Sequence, residues 1–124
     1  MEKFKYKIIL DNKGSLLPIS FKNNFNFKVK RVFLISGRNK TIRGNHAHKK
    51  CIQALVVLKG KSIIEVKDKK KIEKIHLSSK NKFGIIVKPK KWLKIKFSTK
   101  DNLVLVFCSE EYDTKDYIYN FKNL

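Results

Sequence analysis

Arginine is almost missing from this basic chain. Of thirty Lys and Arg residues only three, Arg31, Arg38 and Arg43, are arginines, against ten acidic residues and a net charge of +20. Phosphate neutralisation by cations supplies most non-specific nucleic-acid affinity, so the charge raises that possibility. Base-edge and bidentate phosphate recognition, however, falls mainly to arginine. Lysines scattered singly through nearly every segment describe a solvated surface that attracts anions in general, with no specific nucleic-acid partner. Cysteine is equally sparse. Cys51 and Cys108 each lie inside an apolar run, which suggests free buried thiols in a reducing cytoplasm and leaves a disulfide between them without support. No run approaches the ~18 apolar residues of a membrane span. The N-terminus alternates lysine with apolar residues and lacks the apolar stretch and cleavage site of a signal peptide. A soluble, cytoplasmic protein without a membrane partner is the expectation.

A long helical period is the next absence. At 124 residues the chain suits a single domain, 1–124. Its apolar residues recur at a spacing of two in short runs bounded by turn formers. Lys3 to Leu10, Val29 to Ile35, Thr41 to His48, Cys51 to Leu58, Ser62 to Lys67, Lys71 to Leu77, Phe83 to Val87, Trp92 to Phe97 and Leu103 to Cys108 read as strands. Thr41 to His48 and Cys51 to Leu58 are expected to form the central pair, and Ser62 to Lys67 to follow beyond Gly60 as a hairpin partner. Asn23, Asn24 and Asn26 mark a loop. In the acidic tail, Tyr117 and Phe121 are four apart, which fits one or two helical turns packing on the end of the fold. The fold class is therefore all-β: a small antiparallel sandwich or barrel with a short C-terminal helical segment, able to hold a small ligand in its mouth.

Chemistry concentrates in Arg43-Gly44-Asn45-His46-Ala47-His48 and the following Gln53. Side chains two apart on a strand share a face, so His46 and His48 address one point. If the chain turns near Lys49 and Lys50, parity resets and Gln53 can face that point too. His-x-His, four residues, an amide, six residues and Gly60 is the spacing of the first cupin motif. A metal-binding cupin takes a carboxylate where Gln53 stands and a third histidine from a later strand. Gly84 to Lys94 holds none, leaving two good donors and no metal site. His76 shares a strand with Ile75 and Leu77 but faces the other way, toward solvent. Two uses of the pair remain: histidines satisfied by neighbours inside a barrel, or proton transfer. Histidine titrates near 6.5 and returns a proton at cellular pH, and a nearby arginine stabilises developing oxyanion charge. That combination suits abstraction of a proton next to a ketone.

Ile9 to Leu17, Lys30-Arg31-Val32, Arg43 to Lys50, Gln53 to Val57 and Ser109 to Ile118 resemble, in order, the cupin-fold 3,4-ketoisomerases that act on dTDP-4-oxo-6-deoxyhexoses. Arg-Gly-x-His-Ala-His and Tyr-Asp-x-x-Asp-Tyr-Ile are specific in combination. The resemblance implies a jelly-roll barrel and a metal-independent tautomerisation with no cofactor. The keto group of a dTDP-linked 4-oxo-6-deoxyhexose moves from C4 to C3, ahead of transamination to a 3-amino sugar for surface glycans. It implies His48 as principal base, His46 as its partner and Arg43 facing the substrate. Arg31, Arg38, Gln53 and Tyr112 are implied as substrate-binding residues, with Arg31 on the diphosphate. A homodimer with exchanged N-terminal strands is implied as well. The chain departs from the family's pattern at Phe33, Leu34, Asn45, Leu93 and Tyr119. The competing readings are a metal-dependent cupin enzyme and a basic polyanion- or nucleic-acid-binding module.

Overall fold

The computed structural model describes residues 1–124. Twelve strands are named in chain order: β1 (Glu2–Lys5), β2 (Ile9–Asp11), β3 (Gly14–Leu16), β4 (Arg31–Gly37), β5 (Ile42–His48), β6 (Gln53–Lys59), β7 (Lys61–Lys67), β8 (Ile72–Ser78), β9 (Phe83–Val87), β10 (Trp92–Phe97), β11 (Asn102–Cys108) and β12 (Tyr117–Ile118). One helical turn, Phe21–Asn24, lies where the asparagines suggested a loop. Two five-stranded antiparallel sheets face each other, in the orders β1-β9-β6-β11-β4 and β12-β5-β10-β7-β8. This is a small cupin-like sandwich. The pair β2–β3 forms a separate hairpin.

Two expected strand partnerships are corrected. β5 and β6 belong to opposite sheets, and β6 does not pair with β7. Gly60 carries the chain across the sandwich instead of closing a hairpin. Its φ of +79° and a hypothetical Cβ only 2.3 Å from the Asp101 carbonyl oxygen explain why glycine stands there. Alternation shows which side chains share a face, and says nothing of which strand lies alongside.

The core fills the space between the sheets with Leu55, Val57, Ile64, Ile85, Leu93, Ile95, Phe97, Val104 and Val106, all nearly free of solvent. β6 is apolar on both faces because its outer side, Ala54 and Val56, is covered by Phe4, Tyr6, Phe25 and Phe107. Ala47, Trp92 and Ile118 make a third cluster with Phe121 and Leu124 against it, so the C-terminal tail is docked on the outside of β5 and β10. That tail is not one continuous helical segment. Two 3-10 turns, Thr114–Asp116 and Phe121–Asn123, flank β12, which pairs Tyr117 with His48 and Ile118 with Ala47.

Candidate active site

A regular strand would turn Arg43 and His46, three residues apart, to opposite faces. A bulge brings them together. Leu93 on β10 opposes His46 and Lys94 opposes Gly44, leaving Asn45 unmatched. Gly44 (φ +79°) and Asn45 (φ +61°) both take the left-handed conformation that this geometry needs. Arg43 then pairs with Ile95 and His46 with Leu93, so both share the inward face of β10's buried residues.

The opposite wall is a row across the other sheet. Arg31 pairs with Cys108, Cys108 with Gln53 and Gln53 with Val87. Further along the same face the pairing is Ile35, Val104 and Val57. The inner surface is thus polar at one end and apolar at the other. A cavity of about 390 Å³ opens there, lined by Phe33, Arg43, His46, Gln53, Leu93 and Tyr117 among others.

The imidazoles have different surroundings. His48 is 4 % exposed, and its Nδ1 lies 2.9 Å from Asp116 Oδ2. Burial pushes the Asp116 carboxyl up. The backbone N–H of Lys50, the His48 ring and the backbone N–H of Cys51 outweigh that and hold it below the usual value. An ionised carboxylate only accepts, so Nδ1 carries a proton, which in the neutral ring leaves the lone pair on Nε2. Nε2 is buried without a partner, as are His46 Nδ1 and Arg31 Nε. Of these three residues His46 lines the cavity, and an unpartnered polar atom there marks a place where a ligand can bind. Burial, then the neighbouring His48, lowers His46 to about 4, so His46 is neutral near pH 7. The two rings meet edge to face at 5.1 Å. Tyr117 packs on both, at 4.9 Å from His46 and 4.4 Å from His48. Its phenol is raised by burial, against the pull of the nearby Arg31 guanidinium.

Most residues singled out in the sequence converge here. Arg43, at the mouth, His46 and Gln53 line the cavity, and His48 stands beside His46. The Arg31 guanidinium lies 5.4 Å from the Phe33 ring and 5.7 Å from the exposed Tyr112 ring. Arg38 sits apart from them, exposed on the turn between β4 and β5, where its carbonyl accepts from Thr41. Asp116 and Tyr117 escaped the reading of individual roles. Their signal was the Tyr-Asp-x-x-Asp-Tyr-Ile tail, but nothing in its spacing says that it returns 68 residues to His48.

The side chains best placed for a cation are His48, Cys51 and Asp116, whose ligand atoms lie within 4.8 Å of one another. They fit one poorly. Asp116 Oδ1 already accepts from Lys50 N–H at 2.7 Å, and Oδ2 accepts from His48 and Cys51. A metal would have to displace those bonds. Cys51 and Cys108 are free thiols, both buried.

A jelly-roll sandwich with a carboxylate-held histidine at a polar mouth has the makings of a small proton-transfer enzyme. The family model described as FdtA: WxcM-like, C-terminal matches residues 2–124, and the chain belongs to that family. It is 36 % identical over 119 residues to the TDP-4-oxo-6-deoxy-alpha-D-glucose-3,4-oxoisomerase of Aneurinibacillus thermoaerophilus, covering 95 % of this chain and 85 % of that one. A histidine-to-asparagine variant of the 3,4-ketoisomerase QdtA from Thermoanaerobacterium thermosaccharolyticum, in complex with TDP-4-keto-6-deoxyglucose, superposes with a TM-score of 0.90 at 34 % identity, over 98 % of this chain and 88 % of the other. The WlaRB TDP-quinovose 3,4-ketoisomerase from Campylobacter jejuni gives a TM-score of 0.89 at 31 % identity, over 98 % and 94 %.

Proposed function

We propose that this chain is a sugar-nucleotide 3,4-ketoisomerase that moves the keto group of a dTDP-4-oxo-6-deoxyhexose from C4 to C3. The observation that carries the reading is the unpartnered Nε2 of His48 on an imidazole fixed by Asp116, next to a cavity edged by Arg43. Membership of the family and the activity named for its relatives support it.

His48 Nε2 takes the C3 proton, which the C4 ketone acidifies. The electrons of the C3–H bond form a C3–C4 double bond, and negative charge passes to O4. Asp116 stabilises the imidazolium that results, and Arg43 stabilises the enediolate. Collapse to the 3-ketone releases the O3 proton, C4 and O4 each gain one, and the sum is zero. Neutral His46 and Gln53 hold sugar hydroxyls, while Arg31 binds the diphosphate with Tyr112 beside it. Arg38 would meet the substrate only at the outer rim.

The working form is a homodimer with exchanged N-terminal strands, supported by a hairpin that exposes Ile9, Leu10 and Leu16. A reducing cytoplasm suits the two free thiols, and the product suits transamination to a 3-amino sugar. Incubation with dTDP-4-oxo-6-deoxyglucose in deuterated water, followed by NMR, tests the reaction. The expected result is a 3-oxo sugar with deuterium at C4 and exchange at C3 of remaining substrate. The absence of both C3 exchange and 3-oxo product would refute the reading.

A further inference from the structure

Asn45 sits in the turn of chain between Arg43 and His46. It is the unmatched position of the β5–β10 bulge, and it holds φ +61° without being glycine. Asparagine tolerates that conformation better than most residues, whereas a β-branched side chain resists it. Its side chain is also tied down: the Trp92 indole Nε1–H donates to Asn45 Oδ1 at 3.0 Å. Trp92 in turn is 6 % exposed, held among Ala47, Ile118, Phe121 and Leu124, with its ring edge to face against Phe121 at 5.7 Å. The bulge is therefore pinned from outside by the tail segment that brings Asp116 to His48.

We propose that Asn45 is a positioning residue whose left-handed backbone and bond to Trp92 keep Arg43 on the same face as His46 and His48. Without the bulge, residues 43 and 46 fall on opposite faces, and the cavity keeps its histidines but loses its guanidinium. Gly44 and Asn45 both hold positive φ through the register shift, so the turn is shared between them. The proposal rests on the isomerase reading for its kinetic readout but not for its geometric one.

The test is a mutant cycle with Asn45→Val and Arg43→Ala on turnover of dTDP-4-oxo-6-deoxyglucose, with the crystal structure of Asn45→Val as the geometric arm. The Val variant should lose about 10²-fold in kcat, the order expected when a reacting group is misplaced by an ångström. Arg43→Ala added to Asn45→Val should cost almost nothing more, since the guanidinium has already left. Asn45→Asp, which keeps both the acceptor and the tolerance of positive φ, should restore activity to within about threefold of wild type, an interaction of that size being a fraction of a hydrogen bond. Trp92→Phe, which keeps the apolar cluster and removes only the donor, serves if the Val variant fails to fold. It should lower kcat by about tenfold, roughly one hydrogen bond's net contribution, and show no further loss with Asn45→Gly, which keeps the positive φ and removes only the acceptor. Additive losses in both cycles, or Arg43 still facing the cavity in the Val crystal, would overturn the assignment. Wild type inactive on this sugar would instead count against the isomerase reading, leaving the crystal to decide the bulge.

Discussion

Asp116 reaches across 68 residues to hold the His48 ring by its Nδ1 at 2.9 Å. It does so from a 3-10 turn whose own start is capped by Asp113, which accepts from Lys115 N–H. The next residues, Tyr117 and Ile118, pair with His48 and Ala47 as a short strand. A carboxylate held on two sides in this way selects one imidazole tautomer before any substrate arrives.

Asp116→Asn tests that selection. An asparagine can keep its oxygen toward the Lys50 N–H, which leaves its amide N–H₂ facing Nδ1. The imidazole must then accept at Nδ1 and carry its proton on Nε2, where a base needs a lone pair. We expect kcat to fall by about 10²- to 10⁴-fold, the usual contribution of a positioned general base, with KM little changed and the fold retained by circular dichroism. Wild-type kcat in this variant would show that the tautomer is immaterial.

His46 makes stability depend on acid. The folded imidazole resists protonation down to about 4 because burial and then His48 disfavour the charge. In the unfolded chain it takes its proton near 6.5. Between those values the unfolded state binds more protons, so stability falls as pH drops through this window and is unaffected by the group above it. Melting temperatures from pH 7 to pH 4 should decline for wild type, and His46→Gln should flatten the decline between about 6.5 and 4. An unchanged slope would mean that His46 titrates normally in the fold.

The thiols should be silent. Cys51 and Cys108 are 1 % and 0 % exposed, under the histidines and the Arg31 row. The neighbouring Cys51 thiol and then burial raise the Cys108 thiol, while the Cys108 neighbour lowers Cys51 to about 6, so it is lack of access that keeps Cys51 silent. Reactivity needs an accessible thiolate, so a colourimetric thiol reagent should find neither group in native protein and both in denaturant. Fast labelling of the native form would show that this end of the sandwich opens.

Periodicity of two exposed most strands and the shared face of His46 and His48, because both are local properties. The inference that the histidine pair lacks a third metal-binding partner came instead from the cupin spacing and the absence of histidine between Gly84 and Lys94. Periodicity could not reveal that Arg43 joins them, since that depends on a left-handed residue, and asparagine at position 45 is compatible with many conformations. The strand partners of β5, β6 and β7 were misassigned for a related reason. Gly60 permits a tight hairpin and a crossing between sheets alike, and only the packing of Asp101 and Thr99 against it decides. Arg31 came with its motif, but its inward aim follows from pairing with Cys108, which no spacing encodes.

The hairpin β2–β3 bears on the assembly. Ile9 and Leu16 are cross-strand partners, 51 % and 61 % exposed, and Leu10 on the other face is 76 % exposed. An isolated two-stranded ribbon is marginal in water, and apolar residues on both of its faces ask for cover. A second copy of the chain offers that cover if N-terminal strands are exchanged. Charging the ribbon should undo it: Leu10→Lys with Leu16→Lys is expected to convert a dimer to monomers in sedimentation velocity, with the sandwich core intact by circular dichroism. Each lysine would also forfeit about 1.5–3 kcal/mol of apolar burial at the interface, enough to shift a micromolar equilibrium well toward the monomer. A double variant that sediments as the wild-type dimer would place the subunit interface elsewhere.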